Sequence, residues 1–206
     1  VLQALNALQR SGKLPPAPSA SELVDHILQR YHEGHRRLLP ELVRMARRVE
    51  AVHRDHPQVP HGLADQLEAM EQELLEHMAK EEQILFPLLK QGGHPMVVHP
   101  ICMMRHEHVS HGAQLERLAE LTSHHQPPAG ACNTWQALYA GTARLTEDLI
   151  EHIHLENNLL FPAFEALKQD WRDAAALLAA GTWQYWRHIG LRRPGGALSH
   201  GDEPAP

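Results

Sequence analysis

The sequence predicts an all-α protein, an up-and-down four-helix bundle built from a duplicated helical hairpin. Three observations support this fold class. Apolar residues recur at three-to-four spacing along extended segments, no segment alternates apolar and polar residues as a strand does, and one helix segment is repeated later in the chain. With 206 residues, 43% of them hydrophobic, the chain is long enough to bury one main core.

The ends of the predicted helices are marked by capping and breaking residues. Ser19 or Ser21 is placed to cap the first helix, Gly92 and Gly93 follow the second, and Asn133 is placed to cap the fourth. The helices are predicted at about Glu22 to Ala51, Leu63 to Lys90, Pro100 to Leu121 and Asn133 to Lys168.

The chain divides into three predicted parts. Residues 1–20 are expected to be an N-terminal remnant or linker, because Pro15, Pro16 and Pro18 separate them from the first helix. Residues 21–170 form the bundle. Residues 171–206 hold a short apolar helix followed by a tail that is rich in proline and glycine and is expected to be disordered.

Composition excludes several classes of function. The formal net charge of -6 gives no basic excess for nucleic acid. No apolar run approaches the ~20 residues that span a membrane, and the first residues do not resemble a signal peptide. We therefore expect a cytoplasmic protein with no nucleic-acid or membrane partner, and the sequence leaves its oligomeric state open. The two cysteines, which we expect to be buried, form no CxxC pair, so neither a disulfide framework nor a thiolate zinc site is indicated.

The repeat joins the second and fourth helices. The segment EHMAKEEQILFP at 76–87 matches EHIHLENNLLFP at 151–162 without a gap, so that Glu76 aligns with Glu151. The first and third helices repeat more weakly, in a register that aligns His32 with His108. A duplicated hairpin predicts a pseudo-two-fold bundle in which equivalent side chains meet near the axis.

The repeated residues are typical metal ligands. In the pairs His77/Glu81 and His152/Glu156 the two side chains are four residues apart, so they project from one face of a helix. Each hairpin adds one further histidine from its other helix. Because a carboxylate can bridge two cations, the set fits a pair of metal ions. The six candidate ligands are His32, His77, Glu81, His108, His152 and Glu156.

The ligand types favour iron or manganese, and zinc is an alternative. Four imidazoles, two bridging carboxylates and one oxo or hydroxo bridge fill about ten of the twelve positions of two octahedra, so a small ligand could bind in the remainder. An alternative without metal is a buried seam in which the histidines and glutamates only pair with each other. The number of histidines, 18 against 3 Phe and 3 Tyr, favours the metal site.

Four other residues are secondary candidates, as further ligands or as hydrogen-bonding partners of ligands. His35 and His111 lie three residues beyond proposed ligands, and Glu107 precedes His108. His53 would join the site only if the first helix ended early, so a surface position is the better interpretation.

These motifs resemble a known family. RYHEGHRRLLPEL, HMAKEEQILFP, the HEH around His108 and EHIHLENNLLFP resemble the hemerythrin-like di-iron proteins of the repair-of-iron-centres family, over about residues 22–168. The resemblance implies a cytoplasmic four-helix bundle with a di-iron centre held by the same six residues. The family's N-terminal domain, with its adjacent cysteine pair, has no counterpart in this sequence. Oxygen-carrying hemerythrins are less similar, because Met104 stands where they have an additional histidine.

The resemblance implies a role in the nitrosative and oxidative stress response, in which the protein assists the repair of damaged iron-sulfur clusters, with iron donation as a mechanism. Its partners would be iron-sulfur client proteins and small ligands such as nitric oxide or oxygen. Two alternatives stay open: a scavenger or sensor of nitric oxide or oxygen that keeps its iron, and a di-iron oxidase or peroxidase. A metal-binding repair protein or small-ligand-binding protein is favoured over a classical enzyme, because no nucleophilic triad, P-loop or dinucleotide motif is present.

Overall fold

A computed structural model of the chain describes residues 18–93 and 97–165. The chain divides into two units, Val1–Leu167 and Lys168–Pro206, and all the described residues belong to the first. The predicted N-terminal linker up to residue 17, the short C-terminal helix and the tail lie outside the described residues.

Four long helical segments account for the fold of the described part, in which no strand occurs. The first, α1, joins Ala20–Ile27, Leu28–His32 and Glu33–Val52; α2 joins Leu63–Lys80, Glu81–Leu85 and Phe86–Lys90; α3 is Val98–Leu121; and α4 joins Asn133–Leu155, Glu156–Leu160 and Pro162–Glu165. Each segment packs against two neighbours, α1 against α2 and α4, and α3 against the same two helices. The predicted all-α four-helix bundle is therefore confirmed.

Three of the four segments contain a π-helical turn, which the sequence analysis did not predict. These turns are Leu28–His32, Glu81–Leu85 and Glu156–Leu160. In the last, the N–H of Phe161 donates to the carbonyl of Glu156, five residues earlier, at 2.8 Å. Such turns rotate the following residues relative to a regular helix and occur often at functional sites. Each turn here begins or ends at a proposed ligand.

The interior of the bundle has three layers. An apolar cluster that includes Leu42, Leu67 and Leu138 fills one end, and another that includes Ile27 and Phe161 fills the other. Between the two apolar clusters lies a layer of buried polar side chains to which every helix contributes. This layer contains His32, His35, His77, Glu81, His108, His111, His152 and Glu156. Burying so many polar groups is costly unless they are paired or bind a ligand.

None of the helices in the described ranges combines the length and the apolar character that crossing a membrane requires.

The beginning of α1 gives a test of local stability. The hydroxyl of Ser19 accepts from the N–H of Glu22, whose carboxylate accepts in turn from the N–H of Ser19, so the two form a capping box. Ser19→Ala should lower the free energy of unfolding by about 1 kcal/mol, measured by urea denaturation. Ser21→Ala, an exposed change in the same turn, should alter it by less than about 0.5 kcal/mol. Equal effects of the two changes would contradict the assigned cap.

Candidate metal centre

The six candidate ligands lie together in the buried polar layer. They form two groups, and within each group one donor atom per residue lies within 4.8 Å of all the others. We call these groups the His32–His152 site and the His77–His108 site. Both groups contain Glu81 and Glu156, so the two sites share their carboxylates. The members of the two groups are His32, Glu81, His152 and Glu156, and His77, Glu81, His108 and Glu156.

Glu81 faces both sites. Its Oε2 lies 3.4 Å from His32 Nε2, and its Oε1 lies 3.4 Å from His77 Nε2. Because each oxygen faces an imidazole of a different site, the carboxylate has the orientation that is needed to bridge two cations.

Glu156 repeats this arrangement from the opposite helix. Its Oε1 lies 3.2 Å from His152 Nε2, and its Oε2 lies 3.1 Å from His108 Nε2. The π turns that begin at Glu81 and Glu156 place the two carboxylates in equivalent positions, as the duplication requires.

The buried donor atoms fit a metal better than they fit each other. Both oxygens of Glu81, the Oε2 of Glu156 and the Nε2 of His32 are buried and make no hydrogen bond with the described residues. In addition, His77 Nε2 and His108 Nε2 point at each other from 3.2 Å. Cations placed between these atoms would satisfy them, and mixed imidazole and carboxylate donors suit iron.

The ionisation of the histidines agrees with a role as ligands. Burial, together with the neighbouring His152, lowers the pKa of His32 to about 4. Burial also lowers the pKa of His77 to about 3. Both imidazoles are therefore neutral near pH 7, and the neutral form is the one that binds a metal.

The pKa values of the two carboxylates move in opposite directions when no metal is bound. Burial and the charge of Glu156 raise the pKa of Glu81 well above its ordinary value. Burial favours the neutral acid at Glu156 too, but the imidazoles of His152 and His108 hold its pKa well below the ordinary value. Two buried carboxylates this close cannot both be charged without added positive charge, which two cations would supply.

Two of the imidazoles donate to a fixed carboxylate on the side away from the site. The Nδ1–H of His32 donates to Glu82 at 2.7 Å, and that carboxylate pairs with Arg36 at 2.8 Å. The Nδ1–H of His77 donates to Glu107 at 2.8 Å. Partners of this kind orient the imidazole and increase its basicity.

The partners of His77 and His108 are themselves held by basic side chains. Lys80 Nζ donates to Glu107 at 2.6 Å. The Nδ1–H of His108 donates to Asn157 Oδ1 at 3.1 Å, and Arg105 donates to the same oxygen at 3.3 Å. Glu107 is thus a hydrogen-bonding partner of His77 and does not belong to either four-residue group of the described chain.

Sequence reasoning missed Glu82 and Asn157. Each directly follows a repeated glutamate, so the two occupy equivalent places in the duplicated segments. That position was the signal that could have identified them.

The other secondary candidates lie outside the two groups. His35 and His111 are buried one turn beyond His32 and His108, each with an Nε2 that makes no hydrogen bond within the described ranges. The ring of His35 lies 5.5 Å from that of His152, and the ring of His111 lies 5.0 Å from that of His77. They border the two sites without belonging to either group.

His53 is placed at the far end of α1. It caps the C-terminus of the helix, and its Nε2 lies 3.2 Å from the Sγ of Cys132. It also packs against Trp135 in the apolar cluster at that end. It is not among the residues of either site.

The fold and these two adjoining groups define a four-helix bundle of the metal-binding class. Residues 23–164 match the sequence profile of the Hemerythrin HHE cation binding domain, which covers more than half of the chain. The chain therefore belongs to the hemerythrin HHE family, and the expectation of a di-iron cofactor is confirmed.

Curated relatives share about half of their residues with the aligned part of this chain. A protein of Pectobacterium atrosepticum named iron-sulfur cluster repair protein YtfE is 53% identical over 146 residues, which are 71% of this chain and 66% of the relative. Proteins of the same name from Musicola paradisiaca and Yersinia pseudotuberculosis are 50% identical over 161 residues and 53% identical over 142 residues. These alignments cover 78% and 69% of this chain and 72% and 64% of the relatives. The chain thus spans about two thirds of the length of these relatives, and the resemblance to the repair family is confirmed.

Proposed function

We propose that the chain holds two iron ions between His32, His77, Glu81, His108, His152 and Glu156, and that it supplies iron for the repair of damaged iron-sulfur clusters. The observation that carries the proposal is the orientation of the two glutamates. In each of them, one carboxylate oxygen faces the His32–His152 site and the other faces the His77–His108 site. The relatives that are named as iron-sulfur cluster repair proteins support the choice of function.

The described residues would perform three tasks in this function. The four imidazoles and the two glutamates would bind iron, Glu82 and Glu107 hold two of the imidazoles in place, and the apolar clusters on either side limit access of water. When bound, the iron pair provides redox-active metal and open positions for small molecules. The proposal includes a cytoplasmic location, iron-sulfur client proteins as partners, and contact with nitric oxide or oxygen species.

Donation of iron can be tested with a client whose cluster has lost one iron. A [3Fe–4S]⁺ cluster, one ferrous ion and one electron give a [4Fe–4S]²⁺ cluster, so the assay needs the loaded protein, the damaged client and a chemical reductant without oxygen. With ⁵⁷Fe loaded only on this protein, Mössbauer spectra of the separated client should show ⁵⁷Fe in its cluster.

Glu156→Ala is the loss-of-function variant for this assay, and Glu76→Ala, an exposed change on α2, is the control. The control should transfer iron as the wild type does, whereas Glu156→Ala should transfer little. If the wild-type protein keeps its ⁵⁷Fe while it binds nitric oxide reversibly, the repair function is wrong and a scavenger or sensor is favoured.

A further inference from the structure

The four proposed ligand imidazoles are not held equally. For His32, His77 and His108, the Nδ1 atom is hydrogen-bonded to Glu82, Glu107 or Asn157. The Nδ1 atom of His152 is buried and makes no hydrogen bond with any residue that the structure describes. Among the four, only His152 therefore lacks a fixed partner on its outer side within the described bundle.

The duplication shows which residue stands in the place of the missing partner. His152 corresponds to His77 in the repeat of α2 and α4, and the register that aligns His32 with His108 also aligns Tyr31 with Glu107, the partner of His77. The ring of Tyr31 stacks on that of His152, with centroids 5.4 Å apart and an angle of 7° between the planes. A ring stacked face to face cannot accept an N–H that lies in the plane of the imidazole. The two hairpins thus carry equivalent histidines, His77 and His152, but only His77 has a hydrogen-bond acceptor for its Nδ1–H among the described residues.

This difference separates the two sites. Each site has one imidazole that donates to a carboxylate, His32 in one and His77 in the other. The second imidazole of the His77–His108 site donates to Asn157, which Arg105 fixes with two further hydrogen bonds. The second imidazole of the His32–His152 site has no such partner among the described residues. Since the bridging glutamates are shared, support of this one imidazole is the main difference between the two donor sets.

An outer partner of a metal-binding histidine has a measurable effect on affinity. It fixes the orientation of the ring and makes the imidazole a stronger donor, and its removal typically weakens metal binding about 10-fold to 100-fold. A buried Nδ1–H without an acceptor adds a cost that persists while the imidazole stays in this position.

We infer that the two sites bind iron with unequal affinity, so that the His77–His108 site fills first and the His32–His152 site gives up its ion first. The inference rests on the proposed function and identifies the His32–His152 site as the source of the donated ion. His152 is thus the proposed ligand whose lack of an outer hydrogen-bonding partner sets the order of release.

The order can be measured by anaerobic titration of the iron-free protein with ferrous iron in competition with a coloured chelator. The wild-type protein should bind in two steps that differ about 10-fold to 100-fold in dissociation constant. His32→Ala should remove the weaker step and keep the tighter one, whereas His108→Ala should remove the tighter step. Circular dichroism should verify that each variant remains helical.

Variants of the outer partners test the cause of the difference. Glu107→Gln replaces the carboxylate at His77 with a weaker acceptor, so the tighter step should weaken and the two constants should move closer together. Tyr31→Glu introduces an acceptor at the equivalent place, and if it folds, the weaker step should tighten. Tyr31→Phe keeps the stacked ring without adding an acceptor, so it should leave the difference between the steps unchanged.

The possible failures have different meanings. Two equal binding steps in the wild type, or loss of the tighter step in His32→Ala, would overturn the inference about order and leave the ligand set intact. If His32→Ala and His108→Ala both still bound two ions as the wild type does, the proposed ligand set itself would be wrong, and the proposed function with it.

Discussion

Glu81→Ala is expected to reduce the iron content from about two ions per chain to one or none, because Glu81 turns one oxygen towards each site. The residue is completely buried, and neither of its oxygens is hydrogen-bonded to another described residue. Its removal therefore takes one donor from each site at once. Iron should be counted on the purified, reconstituted protein by a colorimetric assay and by plasma emission spectrometry.

Glu76→Ala is the matched control for this change. Glu76 belongs to the same repeated motif and the same helix, but its side chain is exposed. This variant should bind as much iron as the wild type does. If Glu81→Ala retained two ions, a bridging role for Glu81 would be excluded.

Acid is expected to unfold the metal-free chain unusually steeply. Burial lowers the pKa of His32 to about 4 and those of His35 and His77 to about 3, with neighbouring imidazoles or hydrogen bonds as smaller influences. In the unfolded chain these groups titrate at about 6.5. Between these values the unfolded state binds more protons, so stability is present above pH 6.5 and is lost as the pH falls towards 4.

One group opposes this trend. Burial raises the pKa of Glu81, so the folded chain keeps a proton on this carboxyl group to higher pH than the unfolded chain does. The three histidines outnumber Glu81, so the free energy of unfolding should still have a positive slope against pH between pH 4 and 6.5. Since a domain of this kind has only about 5–15 kcal/mol in total, this loss should lower the urea midpoint of the metal-free chain clearly as the pH falls from 6.5 towards 4.

Urea titrations at several pH values measure this slope. His35→Leu removes one of the three histidines and should reduce the slope by about 1.4 kcal/mol per pH unit. His106→Gln, an exposed change on α3, should leave the slope as it is in the wild type. A flat dependence between pH 4.5 and 6 would show that the buried histidines do not control acid stability.

Much of the fold could be predicted from the sequence because its signals are local. The spacing of apolar residues defines the helices, Ser19 forms the predicted cap, and Gly92 and Gly93 have the positive φ angles that end α2. The structure differs by a residue or two elsewhere. Helix α3 begins at Val98, and Asn133, the predicted cap of α4, is the first residue of that helix, while Cys132 occupies the N-cap position without a side-chain hydrogen bond. The site could be proposed because the chain displays the same ligand pattern twice.

Other features depend on contacts that no local pattern reveals. The π turns change the phase of the helices by a single residue, and their trace in the sequence is a pair of buried residues five apart, such as Glu81 and Phe86. The contact between Glu82 and His32 joins residues 50 positions apart on different helices. The expectation that both cysteines are buried is wrong, because both are exposed.

The most direct test of the account is Mössbauer spectroscopy of the wild-type protein reconstituted with ⁵⁷Fe. Two carboxylates that bridge neighbouring ions predict about two irons per chain and a spectrum of magnetically coupled ions, with no signal from isolated high-spin ferric iron. A single iron per chain, or two irons without magnetic coupling, would contradict a centre that Glu81 and Glu156 share.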